Sequence, residues 1–162
     1  MYRYLRLALL PLLCLFAACV PSPYYQKNVT IPGNKWSQQF RPEFAIDVED
    51  TSVFYNMEFV IRHTNAYAYS NVWMWIYTRK PGDTGFVKTR IEIPLADAAG
   101  HWLGNGMGEI WEQRRAITMA NDPEILRRKG RYVIRFEQNM RDTVLADILH
   151  VGLRVSKGNK RQ

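Results

Sequence analysis

Polar and apolar residues alternate along most of this chain, and that period of two constrains its fold more than any other feature. Phe40, Pro42, Phe44, Ile46 and Val48 interleave with Arg41, Glu43, Ala45 and Asp47. Tyr55, Met57, Phe59 and Ile61 interleave with Asn56, Glu58, Val60 and Arg62. The same rhythm recurs from Val87 to Ile93, from Tyr132 to Gln138 and from Leu149 to Val155. Successive side chains of a strand point to opposite faces, so such runs place one face on a core and the other in water. Val72 to Tyr77 is apolar at every position, as expected of a strand buried on both faces. Trp73, Trp75 and Tyr77 are accordingly expected in the core between two sheets, with a sugar-binding aromatic face as the other reading.

Turn chemistry separates the runs: Pro32-Gly33-Asn34, Pro81-Gly82-Asp83, Asp97-Ala98-Ala99-Gly100 and Gly104-Asn105-Gly106. The pattern predicts an all-β, antiparallel two-sheet sandwich, jelly-roll or immunoglobulin-like, with at most one short helix. Eight strands are expected near 30–31, 36–48, 55–63, 71–79, 86–94, 107–117, 131–139 and 148–156. The helix would be capped by Asn121 or Asp122, carry Pro123 in its first turn and end at Gly130.

The first residues read as an export address. Arg3 and Arg6 precede an apolar run from Leu7 to Ala18, which is too short to span a bilayer. The run ends in Leu15-Phe16-Ala17-Ala18-Cys19, similar to the lipobox of bacterial lipoproteins, in which cleavage precedes the Cys and the Cys is acylated, palmitate being one such acyl group. The expected organisation is a signal peptide over 1–18, lipidated Cys19 and an extended tether over 19–27, one sandwich domain over 28–156, and a basic disordered tail over 157–162. Val20-Pro21-Ser22-Pro23 suits a tether, because proline supplies no amide donor. Removing the signal leaves 144 of the 162 residues and takes the formal charge from +7 to +5. Cys14 leaves with it and Cys19 is acylated, so no thiol remains for a disulfide or a thiolate metal ligand.

Three further segments are distinctive as a set: Ile61-Arg62-His63-Thr64-Asn65-Ala66-Tyr67-Ala68-Tyr69-Ser70-Asn71-Val72-Trp73, the stretch from Pro94 to Gly108, and Glu137-Gln138-Asn139-Met140-Arg141-Asp142-Thr143-Val144-Leu145. Together with the lipobox, a Tyr-x-x-Asn segment at Tyr25–Asn28 and a Trp at position 36, they resemble the gliding-motility lipoprotein GldH family. The resemblance covers nearly the whole mature chain. It implies an exported lipoprotein of gliding bacteria and their non-gliding relatives, required for a surface motility machinery that shares components with an outer-membrane secretion system. It carries over no catalytic or cofactor residues. The basic run Leu126-Arg127-Arg128-Lys129-Gly130-Arg131 departs from the shorter Pro-Gly turn more typical there.

The chain lacks a Gly-x-Ser-x-Gly elbow, a His-Glu-x-x-His pair and a phosphate-cradling glycine loop. His63, His101 and His150 fall in different elements, and Glu109 and Glu112 have opposite strand parity. No enzyme activity, metal or cofactor is expected. Export argues against nucleic acid as the partner of the basic residues. Arg114, Arg115, Arg127, Arg128, Lys129 and Arg131 read either as solvated surface or as a face for an anionic envelope component.

The expected function is a non-catalytic assembly or interaction component of the motility and secretion machinery. The expected location is the outer membrane, facing the periplasm, with the membrane and other machinery proteins as partners. A glycan-binding lipoprotein is the alternative. Candidate contact residues are Tyr67, Tyr69, Asn71, Trp102, Arg141 and Asp142. Tyr67 and Tyr69, in an Asn-rich turn between strands, are candidates for an exposed surface. Trp102 is read either as a ligand contact or as folded back onto the core, and Arg141 with Asp142 either as contacts or as a turn-stabilising ion pair.

Overall fold

The computed structural model of the protein describes residues 22–118 and 124–161. The signal peptide, Cys19 and the capping residues 121–123 lie outside the described residues. The described residues fold as eleven antiparallel strands: β1 Tyr25–Thr30, β2 Lys35–Ser37, β3 Glu43–Val48, β4 Val53–Thr64, β5 Asn71–Arg79, β6 Val87–Pro94, β7 Asn105–Met107, β8 Ile110–Ala116, β9 Gly130–Gln138, β10 Val144–Ala146 and β11 Ile148–Lys160. One sheet has the order β1-β11-β4-β8-β7 and the facing sheet β3-β9-β5-β6; β2 and β10 pair as a short ribbon. This is the antiparallel sandwich that the alternation predicts.

The core is the set of inward-facing positions from both sheets. Phe59 of β4 meets Phe136 of β9 edge-on at 5.1 Å, and Phe136 meets Phe44 of β3 at 5.0 Å. Each such ring contributes on the order of 2–3 kcal/mol by burial, and the edge-on pairing adds about 1 kcal/mol. Trp36 is fully buried beside Phe59, and its indole N–H donates to the Phe40 carbonyl at 3.0 Å. Gly152 of β11 lies opposite Asn28 of β1; a Cβ there would lie 2.0 Å from Asn28 Oδ1 and 2.8 Å from the Lys27 carbonyl.

Several elements differ from expectation. The predicted strand 36–48 is two strands in different sheets. Ser37 turns the chain by accepting from the Gln39 and Phe40 amides, and Pro42 supplies no donor at the break. The predicted strand 107–117 is the β7–β8 hairpin, turning at Gly108 with φ +61°. The first strand begins at Tyr25, inside the expected tether, and is paired along its length with β11. β11 continues to Lys160, opposite Val53, so residues 157–160 are strand where a disordered tail was expected. Residues 124–126 form a turn instead of the expected helix, because buried Leu126 takes a left-handed φ of +48°.

The aromatic expectation for β5 is also corrected. Val72, Met74 and Ile76 face the core, while Trp73, Trp75 and Tyr77 lie half-buried on the outer face of the four-stranded sheet. Cations from β6 and its surroundings cover their rings: Arg90 lies 4.3 Å from the Trp73 ring, and Lys88 4.2 Å from Trp75 and 5.0 Å from Tyr77. Cation–π contact of this kind shields a ring without placing it between sheets.

The fold has two distinct poles. At one, Tyr24 packs 5.1 Å from Tyr55 and donates to the Asp47 carbonyl at 2.6 Å, so the N-terminal segment enters there. At the other, β4, β6 and β9 end and β5 begins, and the connections between them gather.

Candidate functional site

The three segments that carry the family resemblance converge on the pole away from the N-terminal entry. Thr64, at the end of β4, starts a tight turn. Its hydroxyl accepts from the Ala66 amide at 3.2 Å and donates to Asp147 at 3.1 Å, and its carbonyl accepts from the Tyr67 amide. Tyr67 then folds inward and its hydroxyl donates to the Asn71 carbonyl at 3.0 Å, spanning the turn. It is 4% exposed, which corrects the expectation of an exposed ring. Burial in this apolar setting raises its phenol well above the ordinary value.

Trp102 also folds back. Its ring lies 4.5 Å from His63 and 6.4 Å from Tyr67. The loop beneath it is shaped by Asp97, whose carboxylate accepts from the Ala99 and His101 amides at 2.9 Å each and faces the His101 ring at 3.1 Å. The His101 amide first, then the ring and the Ala99 amide, hold the Asp97 carboxyl below its ordinary range. His63 is fully buried, with Nδ1 3.0 Å from the Thr64 carbonyl and no hydrogen-bond partner on Nε2. Burial lowers its pKa, and the Thr64 carbonyl only partly opposes that shift.

The remaining four predicted residues come together. Tyr69, Asn71, Arg141 and Asp142 line one concavity of about 490 Å³, with Trp73, Arg90, Asn139 and Met140 completing its wall. Tyr69 donates its hydroxyl to the Asp142 carboxylate, and that contact raises the Tyr69 phenol. Asn71 donates to Glu92. Arg141 is exposed and, among the described residues, forms no ion pair, so Asp142 is held by Tyr69 and the Arg141–Asp142 pair is absent.

A buried glutamine holds the loop that presents Arg141 and Asp142. Gln138 is fully buried; its Nε2 donates to the Asp142 carbonyl at 3.0 Å and its Oε1 accepts from the Met140 amide at 2.9 Å. Gln38 secures the same loop through the Met140 carbonyl at 2.9 Å, and Met140 sulfur accepts from the Trp73 amide at 3.2 Å. Sequence reasoning missed Arg90 and Gln138 as site elements; Trp73 lines the concavity on the exposed face that its sugar-binding reading required. The signal for Gln138 was present: it is the polar residue at the core-facing parity of the run Tyr132, Ile134, Phe136. Such a residue needs partners to be buried.

The concavity thus offers an indole capped by a guanidinium, an exposed Arg and a carboxylate already bound by a phenol. These groups suit recognition of a polar or anionic surface. Among the described residues, no three His, Cys, Asp or Glu groups come together as a metal site. No helix among them is long and apolar enough to cross a membrane.

One relative is a gliding motility lipoprotein GldH homolog from Christiangramia forsetii, 24% identical over 152 residues, covering 90% of each chain. Among solved structures, that of infectious bursal disease virus, Gt strain, aligns with a TM-score of 0.13 at 11% identity, over 85% of this chain and 43% of that one. The pattern of the GldH lipoprotein family matches residues 23–155, from the N-terminal entry almost to the end of β11, and the chain belongs to that family.

Proposed function

We propose that the protein is a lipid-anchored component of the cell envelope that supports the gliding-motility machinery through non-catalytic contacts made at its distal pole. Membership of a lipoprotein family supports the anchor and the envelope location. The name of its Christiangramia forsetii relative, a gliding motility lipoprotein homolog, supports the process. The outer membrane, with the domain facing the periplasm, is the location we favour, because no acidic residue occurs between Cys19 and Glu43 to resemble a retention signal.

One observation carries the reading. The most distinctive segments of the chain gather at the pole opposite the entry of the N-terminal segment, around the concavity of Tyr69, Asn71, Arg141 and Asp142. A lipid on Cys19 would leave five residues before Tyr25, a reach of at most about 20 Å. The entry pole then stays near the bilayer and the distal pole faces away from it. Anchoring confines the domain to a plane and raises its effective concentration toward partners in the same envelope.

The test is photo-crosslinking in cells with the full lipidated chain, placing the crosslinker at Arg141 and, as comparison, at Arg127 near the entry pole. Motility or secretion-machine subunits recovered from Arg141 and not from Arg127 are the expected outcome. Recovery of none, or equal recovery from both positions, overturns it. The glycan-binding alternative is favoured by one feature, the Trp73 indole lining the same concavity beside Arg90. It predicts saturable polysaccharide binding that Trp73→Ala abolishes with the fold intact.

A further inference from the structure

β6 is the outer strand of the four-stranded sheet, and it is long and bare for an edge. It spans eight residues, and Val87 through Arg90 are all exposed. An exposed edge of this length is a template for pairing with another chain, and the cations Lys88 and Arg90 that it carries disfavour a basic or wholly apolar partner strand while leaving an acidic one. The hydrogen-bond parity shows which groups are free. The Asn139 amide donates to the Trp73 carbonyl at 2.7 Å, so Trp73, Trp75 and Tyr77 turn their main chain toward β9. The alternate residues of β5 turn toward β6 and meet Val87, Thr89, Ile91 and Ile93. The main-chain N–H and C=O of Lys88, Arg90 and Glu92 therefore face the open edge.

The side chains of that edge are polarised by face. On the outer face, Lys88 and Arg90 stand opposite Tyr77 and Trp75, about 6.7 Å apart along the strand. Each rests on an aromatic ring, and among the described residues neither has a carboxylate partner. The nearby carboxylates are already engaged: Glu137 with Arg41 at 2.6 Å and the Tyr77 hydroxyl at 2.7 Å, Glu43 with Arg135 at 2.6 Å, and Glu92 with Asn71. Aromatic seating fixes both cations while leaving their charge unneutralised. On the core-side face of the same edge, Val87 is 59% exposed and Ile91 is half-buried, so the apolar layer is unfinished there.

From this we infer that β6 accepts an extended acidic peptide segment from a partner protein as an added strand. Its main chain would pair with Lys88, Arg90 and Glu92, its acidic residues would meet Lys88 and Arg90, and its alternate apolar residues would cover Val87 and Ile91. Strand addition draws affinity from main-chain hydrogen bonds and specificity from alternate side chains. An acidic–apolar alternation is the sequence complementary to this edge in both respects. An acidic polysaccharide matches the charge but neither the main-chain groups nor the apolar face. The inference rests on the reading of the protein as an interaction component, and names the chemistry of one partner.

The test uses the full lipidated protein in detergent micelles and a fluorescent peptide of about nine residues, alternating glutamate and valine, long enough to cover the strand. Fluorescence anisotropy should show saturable binding that weakens with salt. Binding should slow hydrogen exchange at the Lys88, Arg90 and Glu92 amides. K88E alone, outside the distal concavity that Arg90 borders, should weaken binding, and the K88E/R90E double variant should do so roughly tenfold. The double variant should regain affinity for a peptide alternating lysine and valine, a swap that a folding defect cannot produce. The inference is overturned if neither peptide binds the folded protein, or if only polygalacturonate binds. It is equally overturned by protection away from β6, or by a dimer forming through β6 in place of peptide capture. None of these outcomes affects crosslinking at Arg141, so failure here and failure of the proposed function remain distinguishable.

Discussion

Tyr67 shows how a residue that reads as a surface candidate becomes structural once its neighbours are known. Tyr67 carries a large ring and a hydroxyl into the turn after β4, where both are used. Tyr67→Ala removes a buried ring and a hydrogen bond, so a loss of about 3 kcal/mol is expected in urea unfolding. Tyr67→Phe, which keeps the ring, should lose about 1 kcal/mol. His63 makes a pH prediction. Its pKa is lowered in the folded state from 6.5, chiefly by burial, so the unfolded chain binds the proton more readily. Its contribution to stability is complete above pH 6.5 and declines as the pH falls through that value toward the lower folded pKa. Carboxylates such as Asp50, held down to about 2 by the Ser52 hydroxyl and amide and by Lys157, titrate well below this window. Unfolding measured from pH 7.5 to pH 5 should lose stability in the native chain, and the slope should flatten in His63→Gln. An unchanged slope would assign the pH dependence elsewhere.

At the scale of elements, the sequence was legible where apolar and polar residues alternate and ambiguous where they do not. β3, β4, β9 and the first part of β11 follow their period-two runs because one face is core and the other is solvent. β5 is apolar at each position from Val72 to Tyr77, so parity cannot choose its inner face; the cations of β6, a long-range partner, decide it by covering the aromatic side. The four site residues that converge were legible as a distinctive set, but their grouping depends on Gln138 and on strand register, which no local pattern encodes. The end of β11 is not legible in the sequence, because a basic polar segment looks solvated whereas its main chain has a partner strand. The Arg161 amide donates to the Ser52 carbonyl at 2.7 Å, its guanidinium to the carbonyls of Val53 and Ile125, and Lys157 pairs with Asp50 at 3.2 Å. Deleting residues 157–162 removes these contacts and should cost about 2 kcal/mol, seen as a lower midpoint in thermal unfolding. A truncation with unchanged midpoint would show that the strand end contributes nothing net.

For the whole molecule, the decisive fact is that a single interior joins the two sheets. With Cys14 removed and Cys19 acylated, the mature domain would have no disulfide to hold the sheets together, so packing across the interior must do it. Phe136 is the pivot of that packing, touching Phe59 of the opposite sheet and Phe44 of its own. Phe136→Ala should lose about 4 kcal/mol, a large part of the roughly 5–15 kcal/mol available to a domain of this size. Because the cavity would open between the sheets, both should feel it equally. Hydrogen exchange of β4 and β9, followed through denaturant unfolding, should shift together in the variant and remain coincident. Separate transitions would mean that the four-stranded sheet, which carries both the distal concavity and the β6 edge, holds its shape apart from the sheet joined to the N-terminal segment. Coincident ones would mean that a partner pulling on β6 loads the same core that the β1 strand, and through it the anchor, is tied into.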